Sequence, residues 1–327
     1  MKMILAAAFA ALITTTGAIA PAFAELPNPY QAPQRRWAVL PDGTHWGTSA
    51  GIEIGPKGEI WAIDRCAGTS CDGSSRDAVH IIDLKTGKAV HSIGAKLFAT
   101  PHGLHVDAKG NVWVTDAAIS KDKKIGQQVI KMSPDGKILM RLGTAGVSGG
   151  GPTHFHDPGD VVTAPNGDIF VADGHGTVAP DLPPDTITRI IKFTSDGKFI
   201  KAWGSLGSGK SQFRNPHALA FDSQGRLFVA DRVNGRIQIF DQNGKWLTEY
   251  RAFNHPSGLY IDKNDVMYAS DYNSEGQKGI YIGSAKTGKL QYFVPDTEAG
   301  EGIVAGADGT LYEATPTGII RFLKMTP

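Results

Sequence analysis

The stretch Gly167-Asp-Ile-Phe-Val-Ala-Asp173 recurs, with small changes, along a chain of 327 residues. The other copies are Gly58-Glu-Ile-Trp-Ala-Ile-Asp64, Gly110-Asn-Val-Trp-Val-Thr-Asp116, Gly225-Arg-Leu-Phe-Val-Ala-Asp231, Asp265-Val-Met-Tyr-Ala-Ser-Asp271 and Gly309-Thr-Leu-Tyr-Glu-Ala-Thr315. Successive copies start 52, 57, 58, 40 and 44 residues apart, which are the lengths of four-stranded propeller blades with variable loops. The repeat therefore predicts a β-propeller. A β-sandwich, the alternative all-β fold, would not explain it.

Hairpin turns follow the first five copies, as in Ser195-Asp-Gly-Lys198 and Gln242-Asn-Gly-Lys245. Asp-Gly and Asn-Gly pairs supply the positive φ that such turns need. The sixth copy is followed only by Gly318-Ile-Ile-Arg-Phe322, so its blade lacks an outer strand. Arg36-Trp-Ala-Val-Leu40 is a strand-like segment before the first copy, and its pairing with the last blade would remove two open sheet edges. We predict an all-β, six-bladed β-propeller over residues 36–327, closed by this N-terminal strand.

The N-terminal residues form a separate segment with the pattern of a secretory signal. Lys2 precedes an apolar run, and Ala22-Phe-Ala24 forms an A-x-A cleavage site. We predict a signal peptide over residues 1–24, a linker over 25–35, and no membrane insertion after cleavage. The protein would be periplasmic or secreted. In that oxidising compartment Cys66 and Cys71 are predicted to form a disulfide, the alternative being two free thiols.

The composition excludes several classes of protein. The chain has 33 basic and 32 acidic residues and is 41% hydrophobic, which argues against a disordered chain and against a nucleic-acid binder with a basic surface. Its 40 glycines and 19 prolines carry no collagen-like period, so they predict turns. No amphipathic segment is left unused, and we expect a monomer.

The start of each blade's first strand is predicted to line the central channel, so equivalent positions there form a ring. The ring residues are Ala50, His102, Gly159, His217, Ser257 and Glu301. The alternate blades two, four and six thus contribute His102, His217 and Glu301. Two imidazoles and a carboxylate suit a catalytic zinc ion, and they also suit iron or manganese. The alternative is a pair of packed, hydrogen-bonded histidines.

The residue after the repeated aspartate should lie on the same face as this ring. Arg65 and Arg232 occupy that position and would hold an anionic, carboxylate-bearing ligand in bidentate fashion, unless each pairs with a neighbouring acid. His175 is a candidate general base because imidazole titrates near neutral pH. His154 and His156 lie in a loop that would overlook the same face, the alternative being exposed loop histidines.

Three stretches carry a resemblance to a known family: Pro101-His-Gly-Leu-His-Val-Asp107 with Val112-Trp-Val-Thr-Asp116, the run from Pro158-Gly-Asp-Val-Val162 to Gly174, and Phe213-Arg-Asn-Pro-His-Ala-Leu219 with Val229-Ala-Asp-Arg-Val-Asn-Gly-Arg-Ile-Gln238. On these stretches, residues 50–240 resemble the NHL-repeat propellers and, within them, the peptidyl-α-hydroxyglycine α-amidating lyases. The remainder matches only as blades. The resemblance implies a lyase that splits a carbinolamide into a peptide amide and glyoxylate, with zinc and a tyrosine in the proton chemistry.

The resemblance also implies site residues, and the sequence departs from the family at some of them. Zinc-binding histidines fall on His102 and His217, and substrate-binding arginines fall on Arg65 and Arg232. The third zinc histidine, however, falls on Glu301. A structural calcium ligand falls on Gly302, with the other calcium contacts at backbone carbonyls such as that of Leu104, which makes calcium doubtful. The catalytic tyrosine falls on His175, and a proline-rich insertion, Thr177 to Thr188, follows it.

Three functions remain open from the sequence. The first is an exported metal-dependent lyase in which Arg65 and Arg232 hold a small-molecule or peptide substrate and His175 moves protons. The second is a non-catalytic propeller that binds a ligand or an exported protein partner. The third is a hydrolase of the gluconolactonase kind, which would need a calcium site lined by carboxylates and asparagine.

Overall fold

Six antiparallel sheets arranged as propeller blades make up the part of the chain described by the computed structural model, namely residues 26–272, 277–296, 298 and 300–326. Five sheets have four strands, and the sixth has three. In every blade, strands that follow one another in the chain are hydrogen-bonded neighbours. This up-and-down order confirms the predicted six-bladed propeller. No helix among the described residues is both long enough and apolar enough to span a membrane.

The first three blades have four strands each. Blade one contains β1 (Ile52–Ile54), β2 (Ile60–Ile63), β3 (Val79–Ile82) and β4 (Ala89–Ile93). Blade two contains β5 (Pro101–Val106), β6 (Val112–Asp116), β7 (Gln128–Met132) and β8 (Ile138–Leu142). Blade three contains β9 (Pro158–Thr163), β10 (Ile169–Asp173), β11 (Arg189–Phe193) and β12 (Phe199–Trp203).

The remaining elements complete the ring. A short parallel ribbon is formed by β13 (Ser205–Leu206) and β14 (Gln212–Phe213). Blade four contains β15 (Pro216–Phe221), β16 (Leu227–Asp231), β17 (Arg236–Phe240) and β18 (Trp246–Tyr250). Blade five contains β19 (Pro256–Ile261), β20 (Val266–Asp271), β21 (Gly279–Ser284) and β22 (Leu290–Pro295). Blade six contains β23 (Gly302–Ala305), β24 (Leu311–Thr315) and β25 (Gly318–Phe322). Two single turns of 3-10 helix span Pro41–Gly43 and Arg232–Asn234.

The hydrophobic core lies between the blades. The second strand of a blade is buried on both faces, as in β6 and β10, whereas an outer strand such as β8 is mostly exposed. Neighbouring blades pack through these buried faces, with Trp61 of blade one in the same cluster as Val114 of blade two. Continuous apolar runs in the second strands therefore hold the blades around a common axis.

The aspartate that ends the repeated stretch holds the loop leading into the first strand of its own blade. Asp116 accepts hydrogen bonds from the backbone N–H groups of Ala99, at 2.9 Å, and Thr100, at 2.6 Å. The same contact to the preceding loop is made by Asp64, Asp173, Asp231 and Asp271. Burial raises the pKa of Asp116 to about 7 despite these bonds. The repeated residue therefore positions the start of the strand that lines the channel.

Asp116→Ala is expected to lower the free energy of unfolding by about 2–4 kcal/mol, because two buried N–H groups lose their acceptor. Urea denaturation followed by tryptophan fluorescence measures the change. Asp135→Ala is the matched control, since Asp135 is an exposed turn residue that bonds Ser133 and should shift stability by less than about 0.5 kcal/mol. Equal denaturation midpoints for the two variants would contradict this role of the repeat.

The ring is closed by the N-terminal segment, but the closing residues lie upstream of the predicted ones. Gln34 and Arg321 exchange backbone hydrogen bonds of 2.7 and 3.2 Å, which extends blade six beyond β25. Arg36 has a φ of 56°, which interrupts the extended chain. Residues 36–40 consequently lie against blade one, where Val39 donates to the Gly87 carbonyl at 2.8 Å. The predicted linker boundary at residue 35 falls within the closing segment, and the predicted signal peptide lies outside the described residues.

A buried acid, Glu313, lies beneath this closure. Its Oε1 accepts a hydrogen bond of 2.7 Å from Ser270. The charged group that faces it is Asp296. Asp296 in turn forms a 2.8 Å ion pair with Arg35. Burial, and then the neighbouring Asp296, raise the pKa of Glu313 from 4.5 to about 8. The folded state therefore retains a proton on Glu313 at pH values where the unfolded chain has lost it.

This pKa predicts a pH-dependent stability that Glu313→Gln removes. Between pH 4.5 and about 8 the folded state binds the extra proton, so the contribution of this group to the free energy of unfolding falls as pH rises, by about 1.4 kcal/mol per pH unit. Thermal unfolding should show Glu313→Gln to be more stable than the wild type at pH 8, with the difference shrinking towards pH 5. A difference that is the same at both pH values would contradict the assignment.

Candidate metal centre

The ring residues are positioned by a recurring start of the first strand. A proline opens this strand in blades two to five, and the ring residue follows it, as in Pro101 and His102. The pairing with the second strand shifts register there, between Pro101 and Leu104 in blade two and between Pro216 and Ala218 in blade four. Such a bulge turns a side chain out of the regular pleat. The ring side chains therefore line the channel, in a cavity of about 50 Å³ that includes His102, His217 and Glu301.

Three histidines meet at this channel: His102, His175 and His217, from blades two, three and four. One ring nitrogen from each lies within 4.8 Å of the others, and the ring centroids are 4.0, 4.8 and 5.0 Å apart. The Nδ1 atoms of His102 and His217 lie 2.8 and 3.0 Å from the backbone carbonyls of Gly159 and Ser257. Because a carbonyl only accepts, both Nδ1 atoms carry a proton. Each Nε2 then presents a lone pair in the neutral ring.

The Nε2 atoms of these histidines have the features of metal ligands. All three are buried and have no hydrogen-bond partner among the described residues. Burial, and then the neighbouring His102, hold the pKa of His175 well below its usual range, and burial followed by Arg232 does the same for His217. Neutral imidazoles with unpaired Nε2 atoms are the nitrogen ligands that zinc prefers. The residues present therefore fit a metal ion.

Glu301 lies beside the histidines and also contacts an arginine. Its Oε2 is 3.6 Å from Nε2 of His102, and its Oε1 is 3.5 Å from Nη1 of Arg232. Burial favours the neutral carboxyl, but His102, His217 and Arg232 outweigh it and hold the pKa of Glu301 well below its usual range. The structure thus brings together the three ring residues predicted from the sequence, and it adds His175 to them.

The two predicted arginines differ in their contacts. Arg232 lies near Glu301 and stacks 4.7 Å above the ring of Tyr272. Arg65 donates from Nε to the carbonyl of Pro101 at 3.1 Å and forms no ion pair with a carboxylate of the described residues. Burial lowers the pKa of Arg65, and the Glu301 carboxylate partly offsets this. Arg65 is therefore the guanidinium that is free to bind an anion, whereas Arg232 already faces an acid.

The other two predicted histidines do not join the cluster. His154 is half-buried and its Nδ1 bonds the Thr153 hydroxyl at 3.1 Å, and Nδ1 of His156 bonds the Ser148 hydroxyl at 2.9 Å. The backbone of His156 is held by Asp173, at 2.6 Å. Both are therefore loop histidines that lie outside the metal centre.

The proline-rich insertion is tied to the loop that enters blade four. The Thr177 hydroxyl donates to the carbonyl of Gly174 at 2.6 Å and accepts from the backbone N–H of Asn215 at 2.8 Å. Arg214 donates to the carbonyls of Ala179 and Pro180. The insertion thus packs against residues that lead directly into His217.

The predicted disulfide between Cys66 and Cys71 is formed, with a Cα–Cα distance of 5.1 Å. It closes the loop that begins immediately after Arg65, and the backbone N–H of Cys71 donates to the carbonyl of Ala99 at 2.8 Å. The disulfide therefore fastens the Arg65 loop to the loop that enters blade two.

Three residues near the centre were missed by the sequence analysis. Tyr272 stacks on Arg232. The sequence could have indicated this residue, because it too follows a repeated aspartate. Asn215 is fully buried, and neither polar atom of its side chain has a partner among the described residues. Asp160 lines the channel, accepts 2.8 Å bonds from the N–H groups of Val161 and Leu219, and has its pKa raised to about 7 by burial. Asn215 and Asp160 lie within stretches that carry the family resemblance, but nothing in those stretches assigned them a role.

Comparisons with known proteins agree with the predicted repeat. The NHL repeat model matches residues 213–240. The chain is 32% identical over 296 residues to the Caenorhabditis elegans protein named Probable peptidyl-alpha-hydroxyglycine alpha-amidating lyase pgal-1, a match that covers 81% of this chain and 79% of that protein. It is also 35% identical over 252 residues to Peptidyl-glycine alpha-amidating monooxygenase B of Xenopus laevis, covering 71% of this chain. This second match spans only 27% of the length of the Xenopus protein.

Solved structures show the same fold at low sequence identity. A gluconolactonase from Xanthomonas campestris superposes with a TM-score of 0.62 and 16% identity, over 90% of this chain and 95% of the gluconolactonase. At this identity the likeness concerns the fold alone.

Proposed function

The chain belongs to the family of the peptidyl-α-hydroxyglycine α-amidating lyases, and from this premise we propose that it is an exported, metal-dependent carbon–nitrogen lyase. Its substrate would be a carbinolamide that carries a carboxylate, either a small molecule or a peptide. One observation carries the proposal: three histidines whose Nε2 atoms are buried and unpaired bring one ring nitrogen each to within 4.8 Å of the others, next to Arg65, which is bonded to the residue preceding His102.

The proposed reaction needs no oxidant or reductant. The substrate contains an amide nitrogen bonded to a carbon that bears a hydroxyl group and a carboxylate. The hydroxyl proton leaves, the O–H electron pair forms the carbonyl of glyoxylate, and the carbon–nitrogen bond breaks. Its electron pair stays on the nitrogen, which takes up a proton to give the amide. The chain must therefore bind a carboxylate, accept one proton and return one.

The residues at the centre match these three tasks. Arg65 has its guanidinium free of acidic partners and would bind the substrate carboxylate in bidentate fashion. The His175 imidazole and the Glu301 carboxylate can each accept a proton. His102 and His217 would hold the metal ion, and when bound there it supplies Lewis acidity towards the substrate oxygen that develops negative charge.

Arg232 has a supporting part in this proposal. Its contacts with Glu301 and with the ring of Tyr272 keep a positive charge at the rim of the channel, where an anionic substrate would enter. The disulfide that fastens the Arg65 loop supports export, because disulfides persist in oxidising compartments. We therefore propose a periplasmic or secreted protein.

The experiment is a product assay with N-benzoyl-α-hydroxyglycine as the probe. The proposed function predicts benzamide and glyoxylate in equal amounts, measured by liquid chromatography with mass spectrometry. Glucono-lactone in a parallel reaction tests the hydrolase alternative, and its opening without any glyoxylate from the first probe would contradict the lyase.

A second candidate, a non-catalytic binding propeller, is favoured by one observation. The positions that carry a tyrosine and a histidine in the family are His175 and Glu301 here. Saturable binding of the same probe without product, in protein that contains its metal, would favour this candidate over the lyase.

A further inference from the structure

We propose that His175 is the third protein ligand of the metal ion, and that Glu301 is an outer carboxylate held by Arg232. The inference rests on the metal dependence in the proposed function. The sequence predicted metal ligands from blades two, four and six. The ligands proposed here come from blades two, three and four.

The first argument is the position of the ligand atoms. The Nε2 atoms of His102, His175 and His217 are all buried without a hydrogen-bond partner among the described residues, and one nitrogen from each ring lies within 4.8 Å of the others. The His175 ring is the closer neighbour of His102, with its centroid at 4.0 Å against 4.8 Å for His217. Three buried, unpaired imidazole nitrogens at this spacing can hold one electron-pair acceptor between them.

A divalent cation satisfies this arrangement more completely than a water molecule does. A water that donates its two protons to the Nε2 lone pairs of His102 and His217 has none left for the neighbouring Glu301 carboxylate, which is a third buried acceptor. A divalent cation accepts electron pairs from all three imidazoles and also offsets the carboxylate charge.

The second argument is how His175 reaches the ring although it lies in the loop after β10. The ring position of blade three is Gly159, and a Cβ there would lie 3.3 Å from the Cβ of His175. Because glycine leaves this space open, the His175 side chain occupies the place of a ring residue. Its backbone is held by a 2.8 Å bond to the carbonyl of Asp157. Blade three therefore supplies its imidazole from the loop that follows its second strand, β10.

The third argument is that Glu301 already has a partner. Its Oε1 faces Arg232 at 3.5 Å, and its Oε2 lies 3.6 Å from Nε2 of His102. The ligand atoms found within 4.8 Å of one another belong to the three histidines, and Glu301 is not among them. As an outer carboxylate, Glu301 keeps the Arg232 contact. It then remains available to accept the substrate proton, the task that the sequence analysis predicted for His175.

The set of protein ligands also affects which metal ion binds at the site. Three neutral imidazoles with an open position are a zinc arrangement, whereas two imidazoles and one carboxylate suit zinc, iron and manganese alike. The inference therefore predicts zinc in preference to iron or manganese when all three are supplied in equal amounts to the metal-free protein.

The test counts imidazoles and measures affinity in the full-length mature protein. X-ray absorption at the zinc edge of the wild type should give three imidazole ligands. In His175→Ala the count should fall to two, and zinc affinity measured against a chromophoric chelator should fall by more than the roughly 10–100-fold that loss of an outer partner costs. Glu301→Gln should keep three imidazoles, with an affinity loss within that range. His156→Ala, which removes a loop histidine bonded to Ser148, is the matched control and should leave both values unchanged.

Three results would overturn the proposal. One is a wild-type count of two imidazoles, a measurement that does not depend on whether any variant folds. The other is full zinc retention by His175→Ala together with zinc loss from Glu301→Gln. Absence of bound zinc in the wild type would also overturn it. Failure of the proposed function looks different: three imidazoles with no glyoxylate would refute the lyase and leave the ligand assignment intact.

Discussion

His102→Ala and His217→Ala are each expected to contain less than about a tenth of the metal found in the wild type, because a zinc site that loses one of its few protein ligands binds far more weakly. Both side chains are fixed by an Nδ1 bond to a backbone carbonyl, so no neighbouring group can replace them without rearrangement. The measurement is metal content by mass spectrometry, on protein exported to the periplasm and purified without chelator or added metal.

The control for this prediction is another histidine of the same chain. His154→Ala removes a half-buried loop ring whose Nδ1 bonds the Thr153 hydroxyl, and its metal content should equal that of the wild type. Circular dichroism and thermal unfolding establish that each variant is folded. Unchanged metal content in both His102→Ala and His217→Ala would contradict the proposed metal centre.

Arg65→Ala is expected to lower kcat/KM for a carboxylate-bearing substrate by about 30-fold or more, since truncating one member of a buried charge pair costs about 2–5 kcal/mol. The loss should lie mainly in KM, because the carboxylate is bound in the ground state and in the transition state alike. Arg65→Lys should recover only part of the loss, since a lysine makes no bidentate contact. Steady-state kinetics of glyoxylate release measure the three values.

A surface arginine provides the comparison for Arg65. Arg251 is exposed and pairs with Glu249, and Arg251→Ala should leave both kcat and KM unchanged. If Arg65→Ala behaved in the same way, the carboxylate would have to be bound elsewhere on the rim, and Arg232 would be the next residue to test.

The blades could be predicted from the sequence because their signal is repeated. A turn glycine, a buried strand and an aspartate recur, and the aspartate has a structural task that depends only on local geometry, as Asp116 shows by holding the loop before its own blade. The ring position was predictable for the same reason. His102, His217 and Glu301 could be aligned before any contact among them was known.

The position of the closing segment and the contacts of the site residues could not be predicted, because they depend on long-range contacts that the repeated sequence does not indicate. The closing segment lies upstream of residues 36–40 because Arg36 leaves the extended conformation, which nothing in its neighbours indicates. His175 meets the ring histidines because Gly159 has no side chain, and Gly159 lies in β9 whereas His175 lies in the loop after β10. The difference between Arg65 and Arg232 likewise follows from Glu301, a residue remote from both in the sequence.

The most direct test of a metal-dependent lyase is glyoxylate release by one preparation before and after removal of its metal. The wild-type protein is assayed with N-benzoyl-α-hydroxyglycine, stripped with a chelator, dialysed, and assayed again with and without one equivalent of zinc. We predict activity in the first assay, none in the stripped protein, and recovery when zinc is returned. Unchanged activity in the stripped protein, or no glyoxylate from protein that holds a full equivalent of metal, would contradict the account.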